Sequence, residues 1–257
     1  MSIISGNGSR DLRPLALISL AIAIVIATFI AAQAWRSVKM APPSRTIEVT
    51  GSAKRRIVSD LIEWTATIDT NEKDRTAASK ALHEHVDKTL AYLKGQGVKD
   101  QEIRVSSVTA EEKIETEFIG SGDERVERPV HKGWTTSQEI KVQSTDVPRV
   151  ERVSREVTQL LEQGVPIQSS APAYYYTKLG ELKIQMLAEA SKDARTRAES
   201  MVKAAGGGDL GKLRKADMGV ININSPNSTS TSWEGNNDTE SLEKDIITIV
   251  HTSFELR

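Results

Sequence analysis

The 257-residue chain contains no cysteine. No disulfide can brace it in an oxidising compartment, and structural zinc held by thiolates is excluded. Aromatic residues make up only 4% of it, so its core must be built mainly from Val, Ile, Leu and Ala. Excess charge of either sign is missing too, since 34 Lys and Arg face 35 Asp and Glu, for a formal net charge of -1. That balance argues against a nucleic-acid partner, which needs a basic face to neutralise phosphates. The loops that announce several enzyme classes are also absent. No Gly-Lys-Ser/Thr follows a glycine-rich turn, no G-x-S-x-G elbow occurs, and no acidic run has EF-hand spacing.

What is present is one long apolar run, Leu15 to Ala34, interrupted only by Ser19, Thr28 and Gln33. As a helix it would reach roughly 30 Å, the thickness of a bilayer's hydrocarbon core. Arg10 and Arg13 precede it and Trp35, an interface-anchoring residue type, follows it. It has no polar face to meet solvent, which disfavours a buried core helix. Two readings remain. Its length favours an uncleaved anchor with the N-terminus in the cytoplasm. Ala32-Gln33-Ala34 also fits the small-residue pattern of a signal cleaved after Ala34. The expected organisation is a cytoplasmic segment 1–14, an anchor or signal 15–35, a tether 36–45 containing Pro42-Pro43, and a periplasmic domain 46–257. The expected location is the inner membrane, crossed once.

Beyond the tether, strands and helices alternate in pairs. Thr46 to Ala53 reads as a strand in which Gly51 permits a bulge or a close backbone approach. Asp60 to Thr70 has the clearest period of two, with Ile62, Trp64, Ala66 and Ile68 on one face. Asp74 is a predicted N-cap for a helix to about Leu93, with Ala78, Leu82, Val86 and Leu90 along its stripe. Ile103–Ile119 and Trp134–Gln143 are predicted strands around a mobile charged tip, Gly120–Gly133. A second helix spans about Val147 to Gln163, and a short strand, Val165–Tyr176, follows it. The third helix, about Leu179 to Ala205, carries a stripe of alanines that would let it approach a sheet or another helix closely. Leu210–Ile223 and Lys244–Leu256 are predicted strands. Asn224–Glu243, rich in Ser, Thr and Asn, is expected to be a mobile loop. The order predicts an α+β fold, mainly antiparallel, with about three amphipathic helices on one face and a transmembrane helix before them.

Candidate chemistry is sparse. His83 and His85 stand roughly 200° apart around a helix, too far to share one ion. His131 lies in the charged tip, and His251 alternates with apolar neighbours in the last strand. Glu115 and Glu117 share a strand face, where a carboxylate pair is conceivable beside the simpler reading of solvated surface. Gly206-Gly207-Gly208 follows a helix, as a cap does, and does not lead into one as a phosphate loop would. The most unusual local feature is Tyr174-Tyr175-Tyr176, read here as a candidate interaction surface because tyrosine is enriched at interfaces. No catalytic set, metal site or cofactor site is predicted.

The pattern as a whole resembles a known family. Ile47, Val49 and Gly51 form an IxVxG opening strand. LAEASKDARTRAESM, between Leu187 and Met201, is similar to a helix signature, Leu210-Gly211 follows it, and Val250–Leu256 resembles the closing strand. Together these resemble the SIMPL domain family over about Thr46 to Leu256, and more narrowly a single-pass membrane-anchored subgroup. The resemblance implies a bacterial envelope protein that oligomerises, with a link to oxidative-stress defence in some members, and no accepted catalytic residues. The expected function is a non-enzymatic, membrane-tethered interaction or scaffold module that meets an envelope protein or further copies of itself. A periplasmic small-molecule binder or hydrolase is the alternative.

Overall fold

A computed structural model describes residues 13–39, 45–119 and 126–257. The segment 1–12, residues 40–44 of the predicted tether (36–45) and residues 120–125 of the predicted tip (120–133) lie outside the described residues. The helices are α1 (Arg13–Lys39), α2 (Arg75–Gly95), α3 (Val147–Glu156) and α4 (Leu179–Ala204). The strands are β1 (Thr46–Val58), β2 (Leu61–Glu72), β3 (Ile103–Val105), β4 (Thr109–Ile119), β5 (Val126–Ser144), β6 (Ile167–Ser169), β7 (Ala173–Tyr175), β8 (Leu210–Asn224) and β9 (Glu243–Leu256).

The fold is α+β and antiparallel, as predicted, but the strands divide into two sheets. The larger runs β3-β5-β2-β6, with β4 also paired to β5 and β7 to β2; the smaller runs β1-β9-β8. In the larger sheet Ile62, Trp64, Ala66 and Ile68 meet Ile140 and Val142 beneath α2 and α3. Trp64 is wholly enclosed, and its indole N–H donates to Ser169 Oγ at 2.9 Å, which in turn donates to Ser154 O. The buried ring therefore keeps its polar atom satisfied. Asp74 caps α2 as expected, its carboxylate accepting from the N–H groups of Thr76 and Ala77.

The smaller sheet is covered on one face by α4. Ala190, Ala194 and Ala198 are fully buried there. A Cβ at Gly51 would fall 2.1 Å from Ala190 O, so helix and strand touch backbone to backbone. Of the bulge or close approach that Gly51 allowed, the structure shows the approach, and its partner is the alanine stripe.

Four local differences from expectation have simple causes. The predicted strand Ile103–Ile119 is interrupted at 106–108, because β3 and β4 pair with different stretches of β5. The second helix changes to a tighter 3-10 turn over Val157–Gln163, ending at Gly164 with φ 76°. The predicted strand Val165–Tyr176 is split into β6 and β7 around Ser170–Pro172. The predicted mobile loop before β9 is pinned by asparagines. Asn222 Oδ1 accepts from the N–H groups of Ser232 and Asn236, and Asn224 Nδ2 donates to Ser230 O at 2.6 Å. Polar residues that read as disorder are here the internal bonding of a compact loop.

Candidate functional site

The three tyrosines sit where the chain leaves the larger sheet for the smaller one. Tyr174 packs into the larger core, and burial pushes its phenol pKa up. Tyr176 packs against the core of the smaller sheet, and only Tyr175 is substantially exposed. A surface made of all three rings is therefore not formed. β7 ends at Tyr175, so the alternation expected to pair Tyr174 with Tyr176 does not extend that far.

A lysine holds this junction. Lys244, on β9, is buried and donates from Nζ to Tyr174 O at 3.0 Å and to Asp238 O. Burial pushes its pKa down, opposed by the Asp238 carboxylate. Burial opposes ionisation of Asp238, but bonds from Ser241 and Glu240 outweigh it and hold its pKa below the usual carboxylate value. On the opposite face of β9, Asp245 is enclosed between Arg56, at 2.9 Å, and Lys54, at 3.0 Å. The Arg56 guanidinium holds this carboxyl well below the usual range. Both residues serve the fold, and neither opens to a cleft with a second reactive group.

Another candidate surface is the open face of the smaller sheet, opposite α4. The register places Thr50, His251 and Asp217 side by side across β1, β9 and β8. Thr50 Oγ1 and His251 Nδ1 are 3.0 Å apart, and Asp217 pairs with Lys215 at 2.5 Å. Two shallow clefts share Thr50 and His251. One, of about 210 Å³, is polar and bordered by Glu48, Lys215 and Asp217. The other, of about 260 Å³, is bordered by Val220, Ile249 and the highly exposed Trp233. The threonine hydroxyl meets the ring nitrogen that a hydrolytic triad would give to its carboxylate, so the row is not such a triad. It can offer hydrogen bonds and an aromatic plane to a small polar ligand. His251 was noted in the sequence as a histidine alternating with apolar neighbours in the last strand; its neighbours in space come from strands far apart in the chain.

The remaining candidates separate. His83 lies on exposed α2 surface, its Nδ1 2.8 Å from Ser79 O. His85 is half-buried, and burial lowers its pKa. His131 stands edge-on to Trp134 with ring centres 6.2 Å apart. Glu115 and Glu117 do share a face, but each pairs with a lysine, Lys113 and Lys132 respectively, so they form no proton-sharing dyad. Gly206 ends α4 with φ 67°. Among the described residues no group of three His, Asp or Glu side chains is placed to hold a metal ion.

A second surface stands apart from these. β4 and the first part of β5 (126–133) form a two-stranded arm beyond the last β2 pair, Glu72 with Trp134. Ile114, Phe118, Ile119 and Val126 on the arm are each at least half exposed. The predicted tip began at Gly133, yet strand pairing continues outward to Val126. α1 presents exposed apolar side chains in the same way from Leu20 to Ile30. Among the described residues no helix is long and apolar enough to cross a membrane.

A family model, SIMPL, described as a protein of unknown function (DUF541), matches residues 47–246. No curated protein matches the chain.

Proposed function

The chain belongs to the SIMPL family, and from that premise we propose that it is a membrane-tethered envelope protein that works by binding other protein surfaces, as an oligomer, without catalysis. The observation that carries this reading is α1, a helix over Arg13–Lys39 whose apolar side chains from Leu20 to Ile30 face outward. With the uncharged run Leu15–Ala34, it supports a single-pass anchor, N-terminus in the cytoplasm and sheets in the periplasm. The arm of β4 and β5 supports protein contact through the exposed apolar side chains that it carries on both of its faces. Tyr175 adds one accessible ring. The near-neutral surface supports protein partners over nucleic acid.

Membrane fractionation of the full chain tests the tether. It is expected in the membrane pellet after an alkaline wash. Lysines at Ile24 and Ile26 each cost about 2.5–3.5 kcal/mol at a helix centre in the bilayer, and this pair should move the protein to the soluble fraction. Recovery of the unmodified chain in the soluble fraction would refute the tether.

A second reading, a periplasmic small-molecule binder, is favoured by the two clefts that share Thr50 and His251. A thermal shift with a small polar ligand that His251→Ala abolishes would support it.

A further inference from the structure

We propose that the open face of the smaller sheet binds a neutral saccharide, with one sugar ring stacked on Trp233 and its hydroxyls met by His251, Thr50 and Asp217. This rests on the second reading, a small-molecule binder, and names the ligand class of the same two clefts.

Trp233 stands apart from the other tryptophans. Trp64 is enclosed in the larger core, and Trp134 lies beneath Arg75. Trp233 is 92% exposed, although a ring of this size contributes to a fold chiefly by being buried. The turn that carries it is nevertheless held on both sides. Asn222, itself 1% exposed, accepts at Oδ1 from the N–H of Ser232 at 2.9 Å and the N–H of Asn236 at 3.0 Å. Gly235 N–H donates to Ser232 O, and Ile223 N–H donates to Asn236 O. The ring is thus presented at the border of the cleft it shares with Val220, Ile249 and His251.

A bulge in β8 shapes the floor of that cleft. Met218 pairs with Val250 and Ile221 with Thr248, so Gly219 and Val220 together stand opposite Ile249. The extra residue reverses the alternation of the strand. Asp217, beside His251, and Asn222, beside Ile247, therefore share the open face, where unbroken alternation would separate them. Gly219 borders the cleft without filling it. Bulges re-aim side chains in this way next to binding sites.

The polar groups that remain suit hydroxyls. Thr50 Oγ1 and His251 Nδ1 are 3.0 Å apart, and among the described residues Nε2 of His251 has no partner. When the threonine donates to Nδ1, Nε2–H donates outward; when the threonine accepts, Nε2 accepts. A sugar hydroxyl satisfies either form because it both donates and accepts. Asp217 holds Lys215 through Oδ2, which leaves Oδ1 as an acceptor and offsets the charge, so a neutral ligand fits. An apolar plane with a few placed polar groups is the usual make-up of a small-ligand site. The clefts of about 260 and 210 Å³ have Thr50 and His251 in common. One ring on Trp233 and a second beside Asp217 would meet these two residues at their link.

The test uses the full chain, solubilised in a detergent without a sugar headgroup, with maltose, cellobiose and chitobiose as probes. Saturation-transfer NMR and tryptophan fluorescence read the binding. At least one disaccharide is expected to bind and to shift the exposed tryptophan emission to the blue. Trp233→Ala should weaken that binding by about tenfold or more and remove the shift, whereas Trp233→Phe keeps a stacking plane and should retain most of it. His251→Ala should weaken it as well. Both side chains are exposed, so thermal melting of these variants should match the parent. Co-sedimentation with purified bacterial cell wall then distinguishes a wall glycan from a free sugar, two sources of the same chemistry. Binding unchanged in Trp233→Ala, or absent for all three sugars, overturns the proposal. A thermal shift with glutamine or glycylglycine that His251→Ala abolishes, without sugar binding, refutes the saccharide and keeps the small-molecule reading. No response to either class refutes both. Loss of oligomer mass in Trp233→Ala without sugar binding assigns the ring to protein contact and also overturns the proposal.

Discussion

β5 is one strand with two environments. From Trp134 to Ser144 it pairs with β2, and Thr136, Ile140, Val142 and Ser144 are buried on one side. From Val126 to Lys132 it pairs only with β4, and nearly every side chain is exposed. Alternation is present in both halves. It states which residues share a face; whether that face is covered depends on where β2 and α2 end. Gly133 marks the division, with φ 134° and a backbone so close to β2 that a Cβ there would fall 2.3 Å from Glu72 O. The inner half of the strand serves folding, and the outer half is left with surface to offer another molecule.

Substitutions along β5 should break or sharpen that contrast, and chemical denaturation of the solubilised full chain measures each one. The largest effect is expected at Ile140, which is fully buried; Ile140→Ala should cost about 2–5 kcal/mol. At the division, Gly133→Ala must place a side chain in a left-handed conformation against the Glu72 carbonyl, for a loss of about 1–3 kcal/mol. On the arm, Ile114→Ala should change stability by no more than about 0.5 kcal/mol. A loss at Ile114 comparable to that at Ile140 would mean the arm is part of the folded core, and the contrast would fail.

Acid titration supplies a reference from the smaller sheet. The pKa of Asp245 is depressed in the fold, first by its bond to Arg56, whereas an unfolded aspartate titrates near about 3.9. Its stabilising contribution is therefore complete above about pH 4 and is lost as pH falls from there toward the folded value. Asp245→Asn should be less stable than the parent at neutral pH and decline less steeply below about pH 4. Parallel acid profiles would contradict the assignment.

Much of this architecture was legible in the residues. Period two at Asp60–Thr70 and the Asp74 cap correspond to observed elements, because each depends on contacts its own segment announces; that Gly51 and the alanine stripe each tolerate close approach was legible, but not that they meet. The asparagine-pinned loop was not legible, since its order comes from Asn222 and Asn224 on β8 bonding to residues that look like a flexible linker. Nor was the grouping of Thr50, His251 and Asp217, whose adjacency exists only once β9 lies between β1 and β8. The tyrosine triplet shows the opposite error. Its composition suggested a surface, but Lys244 and two hydrophobic clusters draw Tyr174 and Tyr176 inward.

The tether is the premise under the proposed role, and a topology reporter tests it most directly. Alkaline phosphatase, active only outside the cytoplasm, is fused after Arg257 of the full chain in a bacterial host. The account predicts an active enzyme that stays with the membrane pellet. An inactive phosphatase fusion, paired with a cytosol-dependent reporter that is active at the same position, would contradict it.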